Sequence, residues 1–144
     1  MNGLRLLAPA ATMAMLSALG PGATAAANPG TDVAAETLST ATVNGHDYVT
    51  RQITIQPGGS TGWHWHAGQV YGVIREGTLT HYAADCAVDG VFAAGSPITE
   101  ATGQNHVHLG RNLGPDPLVM WVNYVEPAGG PLATDAPNPG CDFE

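Results

Sequence analysis

The sequence predicts an all-β fold in which short strands close into a barrel or a packed sandwich. Beyond residue 27, no segment carries apolar residues at helical spacing over three turns, and there is no internal repeat. Instead, short runs rich in β-branched and aromatic residues recur between turn signals. Nine or ten such strands in so short a chain would leave many open edges, and closure is the usual way to remove them.

The elements follow in order. Residues 36–43 and 47–55 flank Asn44-Gly45, a strong hairpin signal. Pro57-Gly58-Gly59-Ser60 breaks the chain before a strand at 63–66. Residues 70–75 and 78–82 flank the tight turn Glu76-Gly77, and 83–90 is read as a loop carrying Cys86. Short strands at 91–93 and 98–100 are separated by Gly95-Ser96-Pro97. Residues 106–111 and the apolar run 118–125 complete the set. The tail 126–144 is rich in proline and glycine and is read as an ordered wrap with no element of its own.

Residues 1–27 have the order of a cleaved secretory signal: Arg5, an apolar run at 6–19, Gly20-Pro21-Gly22, then Ala25-Ala26-Ala27. The apolar run is shorter than the roughly 20 residues that span a bilayer. The expected mature unit is therefore a single domain, residues 28–144, exported to the periplasm or the extracellular space. It contains no lysine, and Arg51, Arg75 and Arg111 stand against all twelve acids of the chain. Such a surface repels phosphate backbones and offers no basic amphipathic face, which argues against nucleic acid and, after signal cleavage, membrane partners. Cys86 and Cys141 are the only cysteines, and in an exported chain an even pair reads first as a disulfide. Thiolate metal ligation is the weaker alternative, because the CxxC spacing is missing. The bridge would tether the tail to the body.

Function is carried by the histidines. In a strand, residues two apart share a face, so His64 and His66 project together while Trp63 and Trp65 project oppositely. His106-Val107-His108 repeats that spacing about forty residues on. Four of six histidines thus fall in two same-face pairs, each able to supply half of a metal site.

Around these pairs the sequence resembles the cupin superfamily. Gly58, five residues, His64-x-His66, three residues, position 70, six residues and Gly77 reproduce the first cupin motif, with Val70 standing where a glutamate is usual. His108 and Asn112 match the end of the second motif, whose Pro-x-Gly element is replaced by Gly103-Gln104-Asn105. Residues 62–77 and the tail also look like a group of small secreted bacterial cupins, some with Pro-Gly-Pro where this chain has Ala67-Gly68-Gln69. The resemblance implies a jelly-roll barrel with His64, His66 and His108 facing inward around one divalent metal, His106 being the competitor of His108. Iron, zinc, copper, nickel or manganese suit such ligands. The usual carboxylate does not carry over, because Val70 has no donor atom. Three neutral imidazoles alone would leave the full dipositive charge on the ion. Gln69, Tyr71 and Glu100 are the candidates to supply an oxygen at or near the site.

The remaining residues have plainer readings. His81 is expected to be a partly buried or rim histidine, His46 a solvated loop residue, and Trp63, Trp65 and Trp121 packing residues. Arg111 is expected outside in a surface ion pair. Ser60 and Ser96 lack a nucleophile context, and no phosphate-cradling loop leads into a helix. Three functions fit: a mononuclear metalloenzyme acting on a small molecule, a non-catalytic module that captures a metal or small ligand, and a metal-free barrel. A homodimer is compatible with any of them.

Overall fold

The computed structural model describes residues 27–144. The expected leader, apart from its last residue, lies outside the described residues. Within them there is no helix, and no helix long and apolar enough to cross a membrane. Ten strands form one antiparallel sheet that curls into a nearly closed barrel. They are β1 (Pro29–Val43), β2 (His46–Gly62), β3 (His64–Trp65), β4 (Gln69–Glu76), β5 (Thr78–Ala83), β6 (Val88–Ala93), β7 (Pro97–Glu100), β8 (His108–Arg111), β9 (Leu118–Pro127) and β10 (Thr134–Asp135). Hydrogen-bonded neighbours run β10-β3-β8-β2-β9-β4-β7, with β1 on β2, and β5 joining β6 to β8.

The first hairpin turns at Asn44 and Gly45, whose φ angles of 49° and 77° are those a two-residue primed turn requires. Several expectations shift: β1 begins at Pro29 rather than at 36, and β8 begins at His108 rather than at 106, which leaves His106 outside the strand. The segment Pro57-Gly58-Gly59-Ser60 does not end its strand: β2 runs on to Gly62 through an irregularity that faces Thr31 and Val33 of β1. β6 begins at Val88, inside the expected loop, because β5 offers it an edge to pair with. The tail contains β10, which pairs Thr134 with Trp65 and Asp135 with His64.

Strand alternation creates two apolar regions. Ile53, Ile55, Val70, Ile74, Leu79, Ile98, Leu118, Met120 and Val122 fill the barrel interior. Trp63, Tyr82, Leu109, Ala136 and Cys141 form a second cluster, in which the tail packs over the outer face of β3, β5 and β8. The Cys86–Cys141 disulfide is formed, with Cα atoms 5.5 Å apart. It secures that tail. Trp63 is fully buried there, whereas Trp121 is 40% exposed and stacks beneath Arg75 on the outer surface. The packing expectation therefore fails for Trp121 as a core residue: in β9 its neighbours Met120 and Val122 take the inward positions.

Candidate metal centre

Register brings the histidines together. His64 of β3 pairs directly with His108 of β8, and their ring centroids lie 4.4 Å apart. His66 follows two residues after His64, bridges to Thr102, and places its ring 4.9 Å from His64 and 5.2 Å from His108. The fourth member is Glu100, at the end of β7. One donor atom from each of His64, His66, Glu100 and His108 lies within 4.8 Å of all the others. An ion bonded at roughly 2.0–2.2 Å needs donors no more than about 4.4 Å apart, so closure by a few tenths of an ångström places all four on one centre.

The carboxylate comes from across a strand pair. Val70 of β4 sits opposite Glu100 of β7, and directly opposed residues in a sheet point to the same face. The interior therefore receives a carboxylate beside the position where the cupin motif would place one. This alters the expectation of three imidazoles alone: with Glu100 included, a divalent ion would carry a net charge of about +1. The other oxygen candidates lie elsewhere. Gln69 and Tyr71 have opposite parity to Val70. Gln69 donates from Nε2 to the Glu100 carbonyl at 2.9 Å, bracing β7, while Tyr71 is 49% exposed. His106 is exposed, and contributes its backbone carbonyl rather than its ring.

Each imidazole is oriented from behind. Nδ1 of His64 lies 2.9 Å from the Gly62 carbonyl, Nδ1 of His66 lies 2.6 Å from that of Leu132, and Nδ1 of His108 lies 2.8 Å from that of His106. A carbonyl can only accept, so each Nδ1 carries a proton and each Nε2 is turned toward the centre. Nε2 of His66 and His108 are buried and lack a well-directed hydrogen bond among the described residues. They approach the same oxygen, Glu100 Oε2, at 3.0 and 3.5 Å. Lone pairs facing a carboxylate at that range repel unless a cation lies between them. A proton can serve one pair; a metal ion can serve all four donors.

The electrostatics agree. Burial pushes the His64 pKa down to about 3, reinforced by positive charge at His108, so this ring stays neutral. Burial alone would raise Glu100, but hydrogen bonding and charge from His108 and His66 hold it well below the usual carboxylate range. Burial likewise disfavours charge on His108, yet Glu100 outweighs it and raises that pKa.

A fifth group stands close by. His81 of β5 lies opposite Gly110, diagonal to His108, and its ring centroid is 5.0 Å from that of His108. The sequence places it on the inward face with Leu79, but its proximity depends on β5 pairing with β8, a register that spacing along one strand does not reveal. A cavity of about 250 Å³ opens between His81, Asp89, Glu100 and His108. Arg111 points outward, as expected, but its ion pair with Glu144, at 3.6 Å, is largely buried beneath the tail and Phe143 rather than lying on the surface.

No protein-family model matches the sequence, and no curated protein matches it. Solved structures do. A cupin-like protein from Thermotoga maritima superposes with a TM-score of 0.61 at 21% identity, covering 76% of this chain and 80% of that one. A conserved protein with a double-stranded β-helix domain from Klebsiella pneumoniae gives 0.55 at 22% identity, covering 70% and 80%. Oxalate oxidase in complex with glycolate gives 0.53 at 20% identity, covering 64% of this chain and 50% of that one. At these identities the likeness is one of fold. That fold is the cupin jelly roll.

Proposed function

We propose that this cupin-fold chain is a secreted mononuclear metalloprotein that acts on a small molecule at an ion held by His64, His66, Glu100 and His108. The observation that carries the reading is the convergence of three carbonyl-oriented imidazoles and one carboxylate on a single point inside the barrel. A bound transition metal would supply Lewis-acid or redox chemistry and lower the pKa of a bound water. Everything else is done by the chain. The three carbonyls fix the imidazole orientations, and Glu100 offsets one unit of positive charge. The adjoining cavity supports action on a small molecule over simple metal capture, since a storage site needs no room beside its ion. Export is supported by the Cys86–Cys141 bridge, which is characteristic of oxidising compartments.

The test is elemental analysis of the purified protein beside a His64→Ala, His66→Ala double variant. About one equivalent of transition metal in the parent, lost in the variant, is the expected result. Equal trace metal in both, after incubation with zinc, iron or manganese, would remove the proposal.

A further inference from the structure

Two cavities adjoin the metal centre, and their walls differ. One, of about 250 Å³, touches His108 and Glu100 and is edged by the exposed residues Asp89, Asn105 and His106. The other, of about 140 Å³, touches His64 and Glu100 and is walled by Val33, Ile53, Met120 and Val122. Register builds that wall. Met120 and Val122 alternate onto the inward face of β9, and Ile53 of β2 stands directly opposite Met120. The opening shows in the burial: Ile53, Met120 and Val122 keep 7%, 5% and 4% exposure, while Ile55, Val70 and Leu118 of the same core keep none. Exposed Ala133 and Asp135 of the tail stand at the mouth. Tyr124 joins the wall to the centre: it lies opposite Val70 of β4, and its ring is 5.7 Å from that of His66.

We propose that the aliphatic cavity holds the body of the substrate, a molecule with one metal-binding oxygen head and a compact hydrocarbon body. Val33, Ile53, Met120 and Val122 are then its specificity-determining residues. The proposal rests on the metal reading above and names the ligand class of that same site. Aliphatic walls gain when hydrocarbon replaces water against them. They return nothing to a buried hydroxyl or charge, which loses its hydration. The one wall hydroxyl of a threonine is already engaged: Thr61 Oγ1 accepts from the Gly110 N–H at 2.9 Å and donates to the Gly62 carbonyl at 3.1 Å. No lysine or arginine lines the cavity, so a second acidic group on the body would find no counter-charge there. The head oxygen has its partner only at the end where His64 and Glu100 stand. Size sets the body. An aliphatic cavity of roughly 150 Å³ takes up benzene, and this one is of nearly that volume. Sugars and dicarboxylates are thereby disfavoured, and short-chain or single-ring compounds with one oxygen head fit.

The experiment titrates a series of hydroxamates into the cobalt-loaded full-length mature protein, with cobalt content assayed in every sample. The head that binds the ion stays constant while the body grows from acetohydroxamate through butyrohydroxamate to cyclohexanecarbohydroxamate. Each buried CH₂ should tighten binding roughly fourfold. The cyclohexyl member is therefore expected to bind at least about thirtyfold more tightly than acetohydroxamate. The larger adamantyl member should bind no better than the cyclohexyl one. Val33→Trp fills the cavity from its rim and Val122→Phe from its wall. Each should cut the cyclohexyl advantage to within about threefold, with acetohydroxamate affinity and cobalt content unchanged. That unchanged affinity distinguishes a filled cavity from a folding defect. Ala84→Trp, at the edge of the other cavity, should leave the advantage intact. A cobalt-loaded parent that gains nothing from the growing body, or gains further from adamantyl, overturns this inference and leaves the metal centre standing. So does an advantage that survives both filling variants or is abolished by Ala84→Trp. A parent that takes up no cobalt overturns both.

Discussion

The two faces of β3, β5 and β8 carry opposite chemistry in the same short strands. Inward, His64, His81 and His108 gather beside Glu100. Outward, Trp63, Tyr82 and Leu109 pack beneath Phe143, Ala136 and the disulfide. The inner face is polar and expensive to bury, because each desolvated imidazole or carboxylate needs a partner. The outer face is apolar and gains by burial. The difference teaches that the tail is more than a cover. Leu132, within it, supplies the carbonyl that orients His66, and β10 pairs with the strand that carries His64. The outer region thereby holds the inner one in shape.

The largest effect should come from breaking the inner face directly. Glu100→Gln or His108→Ala removes a donor, and metal affinity in a chelator competition should fall by at least a hundredfold, with the melting temperature of the metal-free protein changing far less. An equal loss in both quantities would mean that the residues are structural.

Breaking the outer face should reach the inner one at a distance. The paired substitution Cys86→Ser, Cys141→Ser opens a loop with a separation of 55 residues. The chain-entropy model assigns such a loop about 4 kcal/mol, measurable by denaturant unfolding. Metal affinity should fall by roughly tenfold as well, the scale found when a group that orients a metal-bound histidine is lost. Unchanged affinity would show that the two faces are independent.

Acid should separate the faces, since the titrating groups lie on the inner one. In the metal-free protein the raised His108 pKa contributes stability that is complete below about 6.5 and is lost as pH rises through its folded value. The depressed Glu100 contributes above about 4.5 and loses that contribution as pH falls through its folded value. The pair therefore supports the metal-free fold fully between these limits. His64, held down to about 3, opposes it: below 6.5 the unfolded chain takes up a proton that the fold refuses. Metal binding must displace the His108 proton. Affinity should thus fall by up to about tenfold per pH unit below the folded His108 pKa, and calorimetry in buffers of different ionisation enthalpy should register proton release.

The smallest effect should follow from moving the carboxylate across its strand pair. Val70 and Glu100 are opposed on one face, so Val70→Glu combined with Glu100→Val should keep metal affinity within about tenfold of the parent. Loss equal to that of Glu100→Gln would show that only β7 can present the carboxylate.

Much of this was legible in the chain. Alternation around His64-Trp65-His66 assigns imidazoles to one side and tryptophans to the other, the Asn44-Gly45 turn marks its hairpin, and Glu76-Gly77 marks the boundary between β4 and β5, which pair with other strands rather than with each other. Glu100 was in view only as one of three oxygen sources, because choosing it requires the β4–β7 register, a contact thirty residues apart in sequence. The same limit explains His81, whose neighbours come from β6 and β8. β10 was missed because two residues carry no periodicity, and their strand geometry is imposed by the free edge of β3.

The most direct test of the four-donor centre is X-ray absorption spectroscopy on the metal-loaded protein. The account predicts a first shell with three imidazole ligands, seen through their multiple scattering, together with oxygen that changes in the Glu100→Gln variant. A shell with one imidazole or none, or one dominated by sulfur, would contradict it.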